Sequence, residues 1–196
     1  MNELLLRNVL KAIKEKPSHV LDIVDSFSDN QFNAKKVLLQ HVDKYLTNNS
    51  TVAILGCWYG SILVPSLAPK VKKIIAIDLD DNVVRIGKNN FFKDVENVSW
   101  STGDVFEKEL NYSQVDLVIN TSCEHMRPMK EWPFWNSKSF FALQSNNMYD
   151  IEGHVNCVDS MEQFVEQLPD NSSILHTEEI EDSRGTRFLL VGRIDF

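Results

Sequence analysis

The chain has 196 residues, 43% of them hydrophobic, with 28 acidic against 20 basic side chains and a formal net charge of -8. That length and apolar share suit one α/β domain with a small addition, and the acidic balance gives no general attraction to a phosphate backbone, so nucleic acid is disfavoured as a partner. Three cysteines, spread through the chain without a dense framework, suit a reducing cytoplasm rather than a disulfide-stapled secreted fold.

Leu4, Leu5, Val9 and Ile13 recur at helical spacing with Arg7, Lys11, Lys14 and Glu15 on the other face, which predicts an amphipathic helix near Asn2 to Lys16, ended by Pro17. The same charges interrupt the apolar triplet at the start, so neither a signal-peptide core nor a membrane span is expected. A second short helix over Ser18 to Phe27, and a third from Gln31 to Leu46 capped by Ser28-Asp29-Asn30, complete a helical appendage over residues 1–49. Such an appendage either covers part of a sheet or forms a lid or substrate wall.

Val52 to Leu55 is an apolar run of strand length that Gly56 to Gly60 breaks. Ser61 to Leu67 is a short helix stopped by Pro69, and Ile74 to Ile77 is a second apolar run ending on Asp78. This is a βαβ unit, whose crossover makes the two strands parallel and implies an open α/β sheet with a ligand crevice at the strands' carboxyl ends. Gly56, Cys57, Trp58, Tyr59, Gly60 and Asp78 lie along that crevice. A glycine turn leading into a helix offers unpaired amides, and an acid about 20 positions on accepts hydrogen bonds from ribose hydroxyls, so a nucleoside fits. The spacing alone does not separate a dinucleotide from S-adenosylmethionine.

Asp80 or Asp81 caps a helix through about Asn90, Val98 to Ser101 is a third strand followed by Gly103-Asp104, and Val115 to Ile119 is a fourth with the polar exit Asn120 to Met126. Arg127 to Lys138 is too broken for a long helix and is rich in aromatic side chains. Phe140 to Leu143 is a fifth strand with Gln144-Ser145-Asn146-Asn147 as its polar tip, and Met148 to Val158 is a loop carrying His154 and Cys157. Asp159 or Ser160 caps a helix through about Leu168. Ile174 to Ile180 and Phe188 to Ile194 form a hairpin, so the sheet is mostly parallel with one reversed strand at an edge.

With these elements placed, residues 50–196 resemble the class I S-adenosylmethionine-dependent methyltransferases. The resemblance implies a Rossmann-like seven-stranded, mostly parallel sheet with an antiparallel C-terminal strand inserted beside the fifth, and S-adenosyl-L-methionine as cofactor. It puts Gly56, Cys57 and Gly60, with Trp58 between them, around the methionine part of the cofactor, Asp78 on the ribose, Leu79 against adenine, and Asp104 with Val105 at the adenine amino group. Asn120 to His125 would face the reacting methyl, and Glu124-His125-Met126 looks like the Glu-His-hydrophobic triplet of small-molecule members. Two positions depart from the family's first motif: Ile54 stands where an acid is usual, and Trp58 where a glycine lets the backbone approach the cofactor. Glu124 is a candidate to replace the missing acid.

Methyl transfer needs alignment and exclusion of water, and needs a base only when the acceptor must lose a proton. His125 is the first candidate and His154 the second, with Glu124 beside them. Cys123, His125, His154 and Cys157 are zinc-ligand types at poor spacing, so no metal is expected. Trp58, Tyr59, Trp132, Phe134 and Trp135 either wall an aromatic pocket or pack under a loop. Gln144, Asn146 and Asn147 either orient a polar substrate or cap loops, and Lys35-Lys36 and Lys70 to Lys73 are expected on solvated faces. The leading expectation is a cytoplasmic methyltransferase acting on a small molecule, with no membrane partner. The alternatives are a cofactor-binding module without transfer activity and a nucleic-acid or protein methyltransferase. A nicotinamide oxidoreductase is disfavoured because the turn lacks Gly-x-Gly-x-x-Gly.

Overall fold

A computed structural model describes residues 3–136 and 139–195, so the expected helix start at Asn2 and the end of the aromatic stretch at Ser137 and Lys138 lie outside the described residues. The strands are β1 (Thr51–Leu55), β2 (Lys73–Asp78), β3 (Val98–Thr102), β4 (Leu117–Asn120), β5 (Phe140–Asn146), β6 (Ser172–Asp182) and β7 (Gly185–Ile194). They form one sheet in the order β3-β2-β1-β4-β5-β7-β6. The first five run parallel, and β7 is antiparallel to both its neighbours. This is the Rossmann-like seven-stranded arrangement expected from the resemblance. Six α-helices accompany it: α1 (Glu3–Glu15), α2 (Val20–Asp25), α3 (Asp29–Val42), α4 (Leu63–Leu67), α5 (Asp81–Ile86) and α6 (Met161–Val165). Among the described residues, no helix is long and apolar enough to cross a membrane.

β1 is buried on both sides because every residue from Val52 to Leu55 is apolar, and successive side chains enter opposite layers. Val52 and Ile54 pack with Ile74, Ala76, Leu117 and Ile119 under Leu5, Val9 and Ala12 of α1, Ile23 of α2, Leu38 and Val42 of α3, and Leu63, Val64 and Leu67 of α4. The N-terminal helices therefore share the core of the sheet they cover. Ala53 and Leu55 join Ile75, Ile77 and Val118 on the other face, which is closed by Val105, Phe106, Tyr112, Trp132 and Phe164. This second layer contains only one short α-helix, and aromatic side chains fill the volume that longer helices would take. Trp132, Phe134 and Trp135 belong to this layer. The Trp132 and Trp135 indole N–H groups donate to the carbonyls of Val105 and Met129.

Two expectations need correction. The reversed strand is not at the edge: β7 lies between β5 and β6, because Phe188 to Val191 are buried on both faces whereas β6 alternates half-buried residues with exposed ones such as Thr177 and Glu179. A charged, one-sided strand tolerates an edge and discourages pairing with another chain. Gln144 to Asn146 are likewise not a polar tip, but continue β5 and are buried. The Gln144 amide donates to the Ala34 carbonyl at 2.8 Å, which fastens α3 to the sheet.

At the centre of β7, Gly192 faces Phe141 and Ile174 across the sheet. A Cβ there would meet the Phe141 ring and the Ser173 carbonyl, both fixed by the ladder. Gly192→Ala is expected to cost about 1–3 kcal/mol by overpacking, read as a lower urea midpoint. A wild-type midpoint would contradict this packing.

Candidate active site

β1 is flanked by β2 on one side and β4 on the other, so the chain leaving Leu55 opens a crevice between their carboxyl ends. The turn Gly56 to Gly60 fills its floor. Gly56 and Gly60 have φ of 63° and 68°, and Trp58 has φ of 48°. At Gly56 a Cβ would come 3.2 Å from Met126 Cε and 3.3 Å from Ser122 Cβ, so the turn can approach the β4 exit only without a side chain there. Trp58 has the left-handed backbone that a glycine adopts freely, at a cost of about 1–2 kcal/mol for an L-residue. Its indole lies against Tyr59, with ring centroids 5.3 Å apart, and against the first core layer.

Asp78 holds this turn. Its Oδ2 accepts the Trp58 N–H at 2.7 Å and its Oδ1 accepts the Asp80 N–H at 3.1 Å. Burial raises its pKa, opposed by these amides. Each carboxylate oxygen keeps a further lone pair for a ligand. Beside it Leu79 is exposed and lines the crevice, as do Cys57, Asp104 and Val105. Asp104 Oδ1 accepts the Phe106 N–H at 2.8 Å, and the Arg127 guanidinium lies over the Phe106 ring at 4.5 Å. Burial, then the charge of Asp78, pushes the Cys57 thiol well above its ordinary pKa, which leaves it a small apolar wall.

The cleft has a volume of about 770 Å³, and the N-terminal helices form one of its walls through Asp22, Asp25, Ser26, Gln31 and Lys35. Two contacts fasten that wall to the turn. His19 Nδ1 and the Tyr59 hydroxyl are 3.1 Å apart, and the Ser26 and Ser61 hydroxyls 2.7 Å apart.

Beyond β4 the chain makes a 3₁₀ turn over Cys123 to His125. The Glu124 carbonyl accepts both the Val155 and Asn156 N–H groups at 2.9 Å, which draws the loop after β5 over the cleft and brings His154 to His125, ring centroids 4.5 Å apart and perpendicular. His125 is exposed to the cleft, and its Nδ1 donates to the Gly153 carbonyl at 3.0 Å, so in the neutral ring Nε2 carries the free lone pair. The His154 side chain is 5% exposed, and burial lowers its pKa against the raising effect of Glu124. Glu124, also buried, stands with Oε1 4.0 Å from His154 Nε2 and 3.7 Å from Arg187 Nη1, while its Oε2 has no hydrogen-bond partner among the described residues.

Of the expected site residues, Gly56, Cys57, Trp58, Gly60, Asp78, Leu79, Asp104, Val105, Glu124, His125 and His154 all line this one cleft. Asn120 does not. It is fully buried, its amide donates to the Met126 and Met129 sulfurs, and its oxygen accepts the Ser122 N–H at 2.9 Å, so it shapes the exit from beneath. Gln144, Asn146 and Asn147 also miss the cleft. Asn146 and Asn147 accept the Met148 and Thr186 N–H groups, an internal bracing role. Of the five aromatic candidates only Trp58 and Tyr59 line it, while Trp132, Phe134 and Trp135 pack in the second layer.

Metal-ligand types come closer together than their spacing suggested. Donor atoms of Glu124, His125 and His154 lie within 4.8 Å of one another, and Cys157 Sγ is 3.6 Å from His154 Nδ1. The Arg187 guanidinium already supplies a cation beside Glu124. On the outer face, His41 and His176 share the Glu178 carboxylate at 2.8 and 3.2 Å.

Two cleft residues were missed by sequence reasoning. Lys35 was expected on a solvated face but lines the cleft, half-buried, donating to Gln31 Oε1 one turn away. Arg187, at the start of the apolar run in β7, is 5% exposed. An arginine directly before the apolar run Phe188 to Val191 is the signal that points to it.

No protein-family model and no curated protein matches the sequence. Solved structures share the fold. The N-methyltransferase NodS from Bradyrhizobium japonicum is 14% identical with a TM-score of 0.66, over 86% of this chain and 99% of its own. A SAM-dependent methyltransferase from Aquifex aeolicus is 18% identical with a TM-score of 0.62, over 94% of this chain and 97% of its own. A tRNA methyltransferase from B. subtilis is 15% identical with a TM-score of 0.56, over 80% of this chain and 64% of its own. The chain thus has the class I methyltransferase fold.

Burial, then the charge of Arg187, lowers the Lys35 pKa from 10.5 to about 7, with Glu124 and Asp25 pulling it upward. Between those two values the unfolded chain holds more protons, so through this group stability rises with pH. Lys35→Met is therefore expected to melt above wild type by the widest margin at or below about pH 7, with the margin closing toward about pH 10. A margin flat across that range in thermal unfolding would contradict a desolvated ammonium.

Proposed function

We propose that this chain is an S-adenosyl-L-methionine-dependent methyltransferase acting on a small molecule. The single observation that carries the reading is the Asp78 carboxylate. It stands at the end of β2, clamped by the Trp58 and Asp80 amides, with lone pairs left for two ribose hydroxyls. The fold and the two left-handed glycines in the turn support it, and the cleft volume of about 770 Å³ suits a cofactor with a modest acceptor.

In this reading Gly56, Cys57, Trp58 and Gly60 hold the methionine part, Asp78 the ribose, Leu79 and Val105 the two faces of adenine, and Asp104 its amino group. When bound, the cofactor supplies a methyl on a cationic sulfur; the acceptor's lone pair forms the new bond while the old bonding pair stays on sulfur. Little covalent machinery is required of the protein, which aligns the two partners and excludes water. His125 Nε2 takes the proton that an ammonium or hydroxyl acceptor loses, its ring held by the Gly153 carbonyl. His154 and Glu124 orient the acceptor from the loop side, and Glu124 takes over the role of the acid missing at Ile54. The net charge of -8 and the acidic Asp22, Asp25 and Glu152 along the cleft favour a small acceptor over a nucleic acid.

The experiment is calorimetric titration with S-adenosylmethionine, S-adenosylhomocysteine and NAD. Micromolar-range binding of the first two and none of the third is expected. Asp78→Ala is expected to abolish binding and also to lower the melting temperature by about 2–4 °C, because it leaves the Trp58 and Asp80 amides without their acceptor. Wild-type affinity in that variant, or a preference for NAD, would contradict the reading.

A further inference from the structure

Lys35, Arg127, Arg184 and Arg187 line the cleft without a part in the chemistry above, and Lys35 and Arg187 are the less exposed pair. Arg187 enters from β7 and Lys35 from α3, and both line the same space as His125. The Arg187 side chain is 6% exposed, yet its approach to Glu124 is left open. Nη1 to Oε1 is 3.7 Å, longer than a hydrogen bond, and both Arg187 Nε and Glu124 Oε2 have no hydrogen-bond partner among the described residues. A buried guanidinium and carboxylate that serve only to hold the fold close into a forked, doubly hydrogen-bonded pair. Here the pair stands apart inside a cavity wall, each side with unused hydrogen-bonding capacity.

Lys35 adds a second positive group, whose ammonium donates to the neutral Gln31 oxygen. The two cations oppose each other, since Arg187 is among the causes that lower the Lys35 pKa. A negative group set between them would relieve that repulsion and complete the guanidinium fork. Glu124 and Asp25 stand near the same ammonium, so a single negative charge fits better than a double one. A planar, singly charged carboxylate has that charge and matches the fork.

Resting on the methyltransferase reading, we propose that the acceptor is a small carboxylic acid, its carboxylate seated on Arg187 and Lys35 and its amine or hydroxyl turned toward Glu124 and His125. Glu124 Oε2 accepts a hydrogen bond from that amine or hydroxyl, while His125 Nε2 takes the proton that is lost. Arg187 and Lys35 are then specificity residues.

The test is transfer from methyl-labelled S-adenosylmethionine to a panel of amino and hydroxy acids. Each acid is paired with its primary amide, phosphate monoesters of similar size are run alongside, and both wild type and Lys35→Met are assayed. Titration of S-adenosylhomocysteine is run on each protein. At least one acid is expected to be methylated, with its amide poorer by about tenfold or more in kcat/KM. In Lys35→Met the KM for that acid is expected to rise by about tenfold while kcat changes by less than about threefold, the acid-to-amide preference collapses, and S-adenosylhomocysteine binds as in wild type. Equal use of acids and amides, preference for phosphate esters, or an unchanged acid-to-amide preference in Lys35→Met would overturn the proposal. So would a panel left unmethylated by protein that binds S-adenosylhomocysteine. Failure to bind S-adenosylhomocysteine at all would instead remove the methyltransferase reading beneath it.

Discussion

The hydrogen bond from the Trp58 amide to the Asp78 carboxylate, 2.7 Å long, joins the turn after β1 to the tip of β2. It adds to the Cys57 N–H bond to the Ile77 carbonyl, at 2.9 Å, which also ties the turn to β2. The Trp58 bond holds that residue in a left-handed conformation that an L-residue adopts at a cost, keeps the indole on Tyr59, and leaves the crevice between β2 and β4 open. Tyr59 in turn reaches His19, so the same turn positions the N-terminal helices as a wall of the cleft. One carboxylate therefore acts twice. It is a structural acceptor for two backbone amides, and in the proposed reading it would also hold the ribose.

This double role accounts for a tryptophan in a left-handed backbone that a glycine would adopt without strain. The backbone conformation that the glycine would provide is retained, enforced by an acceptor placed from the next strand. The half-buried side chain packs on Tyr59 and the first core layer while still lining the cleft. What the turn loses in conformational freedom it regains in packing.

Much of the fold was legible because its signals are local. The run Val52 to Leu55, the break at Gly56 and the acid at Asp78 identify the βαβ unit, and the site glycines and acids follow from it. The site residues fell together for the same reason: strand ends in a parallel sheet converge on one edge. The position of β7 was not legible from the hairpin alone, because pairing partners are a property of the whole sheet and only the burial of Phe188 to Val191 on both faces decides it. Amides at Gln144 and Asn146 read as a loop although they are interior: Gln144 donates to the Ala34 carbonyl on a distant helix, and Asn146 accepts the Met148 amide just beyond the strand. Lys35 was misplaced by the same blindness. A lysine on an amphipathic helix looks solvated until the fold sets another element over it. Lys35, Glu124, His154 and Arg187 reach the cleft from four separate stretches, and no spacing rule links them.

The account's central claim is that an adenosine sits over β1 and β2 with its ribose on Asp78. A crystal structure of the protein with S-adenosylhomocysteine tests this most directly. The account predicts both ribose hydroxyls within hydrogen-bonding distance of the Asp78 carboxylate, with the Trp58 amide still donating to it. A nucleoside bound elsewhere, or an indole swung into the crevice with that amide bond broken, would contradict it.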